Sequence, residues 1–141
     1  MKLIYGTKNP AKLESMRRIL KELPIEVVGL NELSVEIGEV EESGNSPLDN
    51  ARLKAEAYYS VLKEPVFSCD SGLYIDGLDE ERQPGVYARR VKGKTLSDDE
   101  MIKYYAGIAK EFGGKVTAQY KNAICLVMSN SKSYESMDED I

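Results

Sequence analysis

Three groups of residues in this 141-residue chain have the types and spacing that phosphate chemistry requires. The first is Thr7-Lys8-Asn9-Pro10-Ala11-Lys12, a polar and basic run placed where an apolar opening segment hands over to a helical pattern. A helix start carries free backbone N–H groups and the positive end of the helix dipole, so it favours an anion. Thr7 and Asn9 add side-chain donors, and Lys12 adds a positive charge about one turn in. The second group is Glu41, within Glu41-Glu42-Ser43-Gly44, and the third is Asp70, at the end of the apolar run Val66-Phe67-Ser68-Cys69. Magnesium prefers one or two carboxylates together with phosphate oxygens of a substrate, and carboxylates distant in sequence can meet across a cleft. Each group also has an ordinary explanation: a helix cap, a solvated acidic loop and a turn residue beside Gly72.

Several other chemistries are excluded or weakened. The chain has no histidine, which removes every Ser-His, Cys-His or His-metal mechanism. Its two cysteines, Cys69 and Cys125, have no CxxC spacing and lie in strand-like surroundings, so buried free thiols are expected. Gly93-Lys94-Thr95 looks like the end of a P-loop, but the first glycine of that motif would fall at Ala88, and the string reads as a turn. The tyrosines at 58, 59, 104 and 105 lie at helical spacing, as core or interface residues do.

The elements that must hold these residues alternate. Residues 2–5 read as a strand. A helix follows, capped by Asn9 with Pro10 in its first turn, and it places Leu13, Met16, Leu20 and Leu23 on one face before Pro24. Residues 25–28 read as a second strand, and an acidic loop leads to Ser46-Pro47-Leu48-Asp49, a helix start. That helix carries Leu48, Ala51, Ala55, Tyr58 and Leu62 at helical spacing. Residues 66–69 read as a short strand delivering Asp70 at its carboxyl end, with an extended pattern resuming at 73–75. Ser97-Asp98-Asp99-Glu100 is a capping box for a helix that stops at Gly113-Gly114. Residues 116–120 and 123–128 read as the last two strands. Strands and helices thus interleave as in an α/β domain covering residues 1–128, followed by a polar acidic tail over 129–141.

The length suits one domain with a real core, at 42% hydrophobic residues. A net charge of −5 argues against a general nucleic-acid surface. The opening residues are too soon interrupted by polar ones to form a signal peptide, and nowhere do about 18 apolar residues run together. A soluble, cytoplasmic protein without membrane partners is expected.

Taken in order, Thr7-x-Asn9-x-x-Lys12, Glu41-Glu42-Ser43-Gly44 with Asp49-Asn50-Ala51 and Lys54-Ala55 behind it, Asp70-Ser71-Gly72-Leu73, and Pro84-Gly85-Val86-Tyr87 resemble the motifs of the inosine/xanthosine triphosphate pyrophosphatases. The resemblance runs from Met1 to about Met128. It implies a mixed α/β fold, with a long sheet flanked by helices and a cleft between two lobes. It further implies a homodimer and Mg²⁺-dependent hydrolysis of a non-standard purine nucleoside triphosphate (ITP, dITP or XTP) to monophosphate and pyrophosphate. By position, Thr7, Lys8, Asn9, Pro10, Ala11 and Lys12 would hold the triphosphate, with Lys12 offsetting developing charge. Ser71 and Arg90 would contact substrate. Glu41 and Asp70 would serve the metal, and Asp70 would also orient or deprotonate the attacking water.

The chain departs from that pattern at Cys69, where the family usually carries an acid, and at Ala88-Arg89-Arg90, where it usually reads Ser-Ala-Arg. The Phe-Gly-aromatic-Asp and Ser-His-Arg motifs that contact the base in the family are missing, so a shortened second lobe is expected. The alternative reading is a nucleotide-binding or dimeric scaffold protein that has lost catalysis.

Overall fold

The computed structural model describes residues 1–138, in which five strands form one mixed sheet with helices on both faces. β1 (Lys2–Tyr5), β2 (Glu26–Gly29) and β3 (Val66–Ile75) are parallel, and β6 (Ala118–Ser129) and β7 (Lys132–Met137) continue the sheet antiparallel, in the order β2-β1-β3-β6-β7. Successive strand residues point to opposite faces. Leu3, Tyr5, Val27 and Phe67 therefore meet Leu13 and Met16 of α1 (Pro10–Ile19) and Leu20, which caps its end. On the other face Ile4 and Val66 meet Tyr58, while Ala123, Cys125 and Val127 meet Ala51 and Ala55, all three helix residues belonging to α2 (Pro47–Leu62). The same alternation separates the cysteines. Cys125 lies opposite Ser68 and Ile124 opposite Cys69, so the two thiols face opposite sides of the sheet and both are free.

The helix starts follow the expected chemistry. Asn9 caps α1, Ser46 caps α2 through Asp49 N, and Ser97 with Glu100 forms the capping box of α3 (Asp98–Glu111), which gives way to Gly113 and Gly114 at positive φ. Four expectations change. α1 stops at Ile19, so Leu23 lies beyond it, exposed rather than on its packing face. Residues 118–129 form one strand instead of two, and β3 runs unbroken through Asp70 to Ile75, so Asp70 sits in mid-strand. β3 and β6 pair along their whole shared length, and ladder hydrogen bonds carry both chains across their polar stretches. Finally, part of the expected tail is structured. Ser129 ends β6 and pairs with Lys132, so Asn130 and Ser131 make a two-residue hairpin loop into β7, while residues 139–141 lie outside the described residues. Met137 packs on the α2 face and Arg52 holds Glu135 at 2.9 Å.

A smaller lobe hangs from the end of β3. Ile75, Leu78 and Ile108 make its core with Tyr104, Tyr105 and Val116, and it carries the hairpin of β4 (Arg90–Val91) and β5 (Lys94–Thr95). Lys92 and Gly93 both have positive φ, so the Gly93-Lys94-Thr95 string is a hairpin turn and strand, as expected.

Gly6 marks the tightest approach in the sheet. A Cβ there would stand 2.3 Å from Ser68 Oγ and 2.6 Å from the Tyr58 ring. Gly6→Ala should therefore cost about 1–3 kcal/mol in urea denaturation. Gly38→Ala, where nothing lies within 4 Å, should stay within about 0.5 kcal/mol. Equal losses in the two variants would sink this packing account.

Candidate active site

β3 outruns its parallel neighbour. Register ends at Tyr5 with Phe67, and the carbonyls on that edge of β3 are filled in order: Pro65 O accepts from Ile4 N at 3.0 Å, and Phe67 O accepts from Gly6 N at 2.7 Å. The next carbonyl on the same edge is Cys69 O, where β1 has already turned away. Its donor is the ammonium of Lys54, at 2.8 Å. Further along, Leu73 exchanges hydrogen bonds of 2.9 and 2.8 Å with Gly85, which docks the smaller lobe on the same edge. The stretch at Asp70 and Ser71 lies between these two anchors.

Asp70 directs its carboxylate toward α2. Lys54 Nζ stands 3.9 Å from Asp70 Oδ1 and 2.9 Å from Glu42 Oε1, so one ammonium serves two carboxylates. The Lys54 and Asp70 side chains are only 14% and 18% exposed, whereas Glu42 is 46% exposed. Asp70 Oδ2 is buried and has no hydrogen-bond partner among the described residues. Burial pushes the Asp70 carboxyl above the usual carboxylate range; Lys54 and the Asn50 side chain pull it back, Glu42 pushes it up, and the Ser71 backbone pulls it down. Asn50 is 1% exposed, and its Oδ1 accepts from Gly44 N at 2.8 Å, which ties the acidic loop to α2.

The loop at residues 7–12 lies beside this edge, but its donors are largely committed. Asn9 Oδ1 accepts from Ala11 N at 2.9 Å and Lys12 N at 3.4 Å, and Thr7 Oγ1 accepts from Asn9 N at 3.1 Å. Pro10 has no N–H to give. The N–H groups expected to be free are thus closed by the cap, and the helix dipole and Lys12 remain. Lys8 is also engaged, donating to Ile37 O at 2.9 Å. Lys12 and Ala11 line a cleft of about 770 Å³ with Cys69, Asp70 and Ser71. Ser71 Oγ donates to Asn122 Oδ1 at 2.7 Å on the cleft wall. Burial pushes the Cys69 thiol up, against a hydrogen bond with Tyr5 and the charges of Lys54 and Lys12.

Glu41 and Arg90 meet elsewhere. They line a second cleft, of about 460 Å³, between the acidic loop and the smaller lobe, together with Glu42, Asn50 and Tyr87. The structure therefore joins Lys12, Ser71 and Asp70 in one cleft and Glu41 with Arg90 in the next. The acid that shares a counter-ion with Asp70 is Glu42, not Glu41.

Sequence reasoning assigned no role to Glu42, Asn50 or Lys54. A signal existed: Asn50 and Lys54 are four apart on the same side of α2 as buried Ala51 and Ala55, so polar groups occur where helical spacing demands apolar ones.

Comparison with known proteins places this geometry. Residues 3–139 match the family model described as the Ham1 family. A dITP/XTP pyrophosphatase of Listeria monocytogenes is 35% identical over 136 residues, covering 94% of this chain and 64% of the relative. One from Rhodopseudomonas palustris is 39% identical over 129 residues, 89% of this chain and 60% of the relative. The chain thus spans less than two thirds of the length of these curated relatives. Among solved structures, the Staphylococcus aureus Ham1 protein superposes with a TM-score of 0.77 at 26% identity, covering 97% of this chain and 68% of the other. A HAM1 protein from Coxiella burnetii gives 0.78 at 25% identity, with 97% and 69% covered.

The buried carboxylate has a stability signature. Because the folded state raises the pKa of Asp70, its contribution is fully present below the unfolded carboxylate value of about 3.9 and is lost as pH rises through the folded value. Asp70→Asn should melt at a higher temperature than the parent at pH 7, with the gap closing as pH falls toward 4. Melting curves across pH in the presence of a chelator measure this, and a variant less stable at pH 7 would contradict it.

Proposed function

The chain belongs to the Ham1 family, and from that premise we propose that it hydrolyses a non-standard purine nucleoside triphosphate, of the ITP, dITP or XTP kind, to monophosphate and pyrophosphate. The observation that carries the reading is Asp70. A carboxylate held between a lysine and a second acid, with one oxygen orphaned and its pKa raised, is suited to take a proton from water near neutral pH. The names of the curated relatives support the substrate class.

In this reading the triphosphate enters the cleft of Lys12 and Ser71, and Lys12 offsets charge on the phosphates. The dipole of α1 favours the same anion, and Asn9 keeps the helix start rigid beside it. Asp70, at the wall of that cleft with its carboxylate turned toward Lys54 and α2, orients the attacking water in line with the α-phosphate and accepts its proton. Arg90 reaches the substrate from the smaller lobe.

The residues suit Mg²⁺. The orphaned Asp70 Oδ2 is the kind of buried oxygen a cation satisfies, and oxygen donors of Glu42 and Glu41 lie on the adjoining loop. Asp70 with an acid of that pair would hold the ion, which supplies Lewis-acid polarisation of the phosphate oxygens. The reading extends to a cytoplasmic homodimer without nucleic-acid or membrane partners. Among the described residues no helix is long and apolar enough to cross a membrane.

With Mg²⁺ and a panel of dITP, XTP, ATP and GTP, the chain should release pyrophosphate from dITP and XTP in preference to the others. Asp70→Asn should lower turnover by about 10²-fold or more. Orthophosphate as the product, or full activity in Asp70→Asn, would remove the assignment.

A further inference from the structure

Lys54 stands out because it has two occupations. It donates to the backbone at Cys69 O, 2.8 Å away, where it replaces the strand donor that β1 no longer supplies. It also neutralises Glu42 and Asp70, at 2.9 and 3.9 Å. An ammonium has three N–H donors on one rotatable nitrogen. The backbone bond uses one of them, while the approaches to Glu42 and Asp70, at 2.9 and 3.9 Å, are ion pairs. The three contacts therefore differ in how easily they are surrendered. Cys69 O is a fixed acceptor on the sheet, whereas Glu42 is 46% exposed on a loop.

We propose that Lys54 is a resident counter-ion that competes with a divalent cation for Asp70 and Glu42, staying anchored on Cys69 O when it releases them. The inference rests on the cation reading above and concerns how the site is loaded. Without a cation, two carboxylates beside one another repel, and burial strengthens the repulsion because screening water is scarce. Lys54 relieves that repulsion in the structure as it stands. A divalent ion bound by the same carboxylates needs their oxygens and repels the ammonium that holds them. The site exchanges one positive charge for two, and the Lys54 ammonium, held at Cys69 O, pivots about that bond so that it gives up Glu42 and draws back from Asp70. Loading and the position of Lys54 are then coupled, and each disfavours the other's resting arrangement.

The test uses Mn²⁺ as the probe and the unmodified chain first. Labelling by an amine-reactive ester, read by peptide mass spectrometry, should rise several-fold at Lys54 on addition of Mn²⁺, because the released ammonium gains solvent over its 14% exposure. Unchanged or reduced labelling while calorimetry records Mn²⁺ binding would overturn the proposal. In a second measurement, Lys54→Met should bind Mn²⁺ about ten-fold more tightly, since the competitor is gone. Equal or weaker binding in a folded Lys54→Met would overturn it. That variant leaves Cys69 O without its donor, and the labelling experiment stands independently should it fail to fold. Absence of Mn²⁺ binding to parent and variant alike would defeat the cation reading and the proposal with it. The pyrophosphate assay judges the reaction separately.

Discussion

The site depends on a backbone mismatch: β3 continues where β1 stops. Edge carbonyls buried in a protein need donors, and an unpaired one costs about 1–3 kcal/mol. Here the parallel strand fills Pro65 O and Phe67 O and then turns away at Gly6 into the loop at residues 7–12. Lys54 fills the next position from α2, and Gly85 fills the edge at Leu73 from the smaller lobe. A need of the sheet thus brings an ammonium to Asp70 and docks the lobe that carries Arg90. Lys12, on the helix after the turn, reaches the same opening. The proposed site lies where the parallel strands end, the position open α/β sheets use for ligands.

What stabilises this junction elsewhere is ordinary packing. Ala51 and Ala55 let α2 lie close to β6, and Gly6 lets the end of β1 pass under Tyr58. Against that background the orphaned oxygens are informative. Asp70 Oδ2 and Ser68 Oγ, both buried without partners among the described residues, lie two apart on the same side of β3. Such groups lower stability, and they persist where function supplies the missing partner. Ser68 Oγ has a structural account, being pressed against Gly6 at the strand crossing. Asp70 Oδ2 has none within the fold, which is why it carries the functional reading.

The legible parts of the sequence were those decided locally. Asn9, Ser46 and Ser97 announced their helices because a cap is satisfied within a few residues. Tertiary pairing was harder to read. Asp70-Ser71-Gly72 read as the end of a strand beside a turn glycine, and Lys121-Asn122 fell in the gap between two expected strands, yet Ser71 pairs with Asn122 and Gly72 with Lys121. The two polar interruptions are one feature, the site crossing the sheet on neighbouring strands. A single strand's pattern cannot show that its partner is polar at the same height. β7 escaped for a related reason: an exposed edge strand of Lys132-Ser133-Tyr134-Glu135-Ser136-Met137 has little apolar alternation, and its place is set by β6. The site followed the same division. Asp70, Lys12 and Ser71 were proposed from motifs and line one cleft, whereas Lys54 and Asn50 engage an edge carbonyl and a loop amide that only the folded chain brings to them.

Charge sets how such a site can take its ligand. The chain as a whole is acidic, at −5, so long-range attraction does not draw a polyanion to it. Around the two clefts, Lys12, Lys54 and Arg90 face Glu41, Glu42 and Asp70, and Lys54 is already spent on two of those acids. A free triphosphate arriving here would meet three carboxylates and only two cations not so engaged. The same site met by a triphosphate already carrying a divalent cation gains on both sides, since the acids attract the metal and Lys12 and Arg90 attract the phosphates. On the proposed reading, the acidic loop is the feature that makes an acidic protein able to hold an anionic substrate. It does so by recognising the metal complex rather than the bare nucleotide.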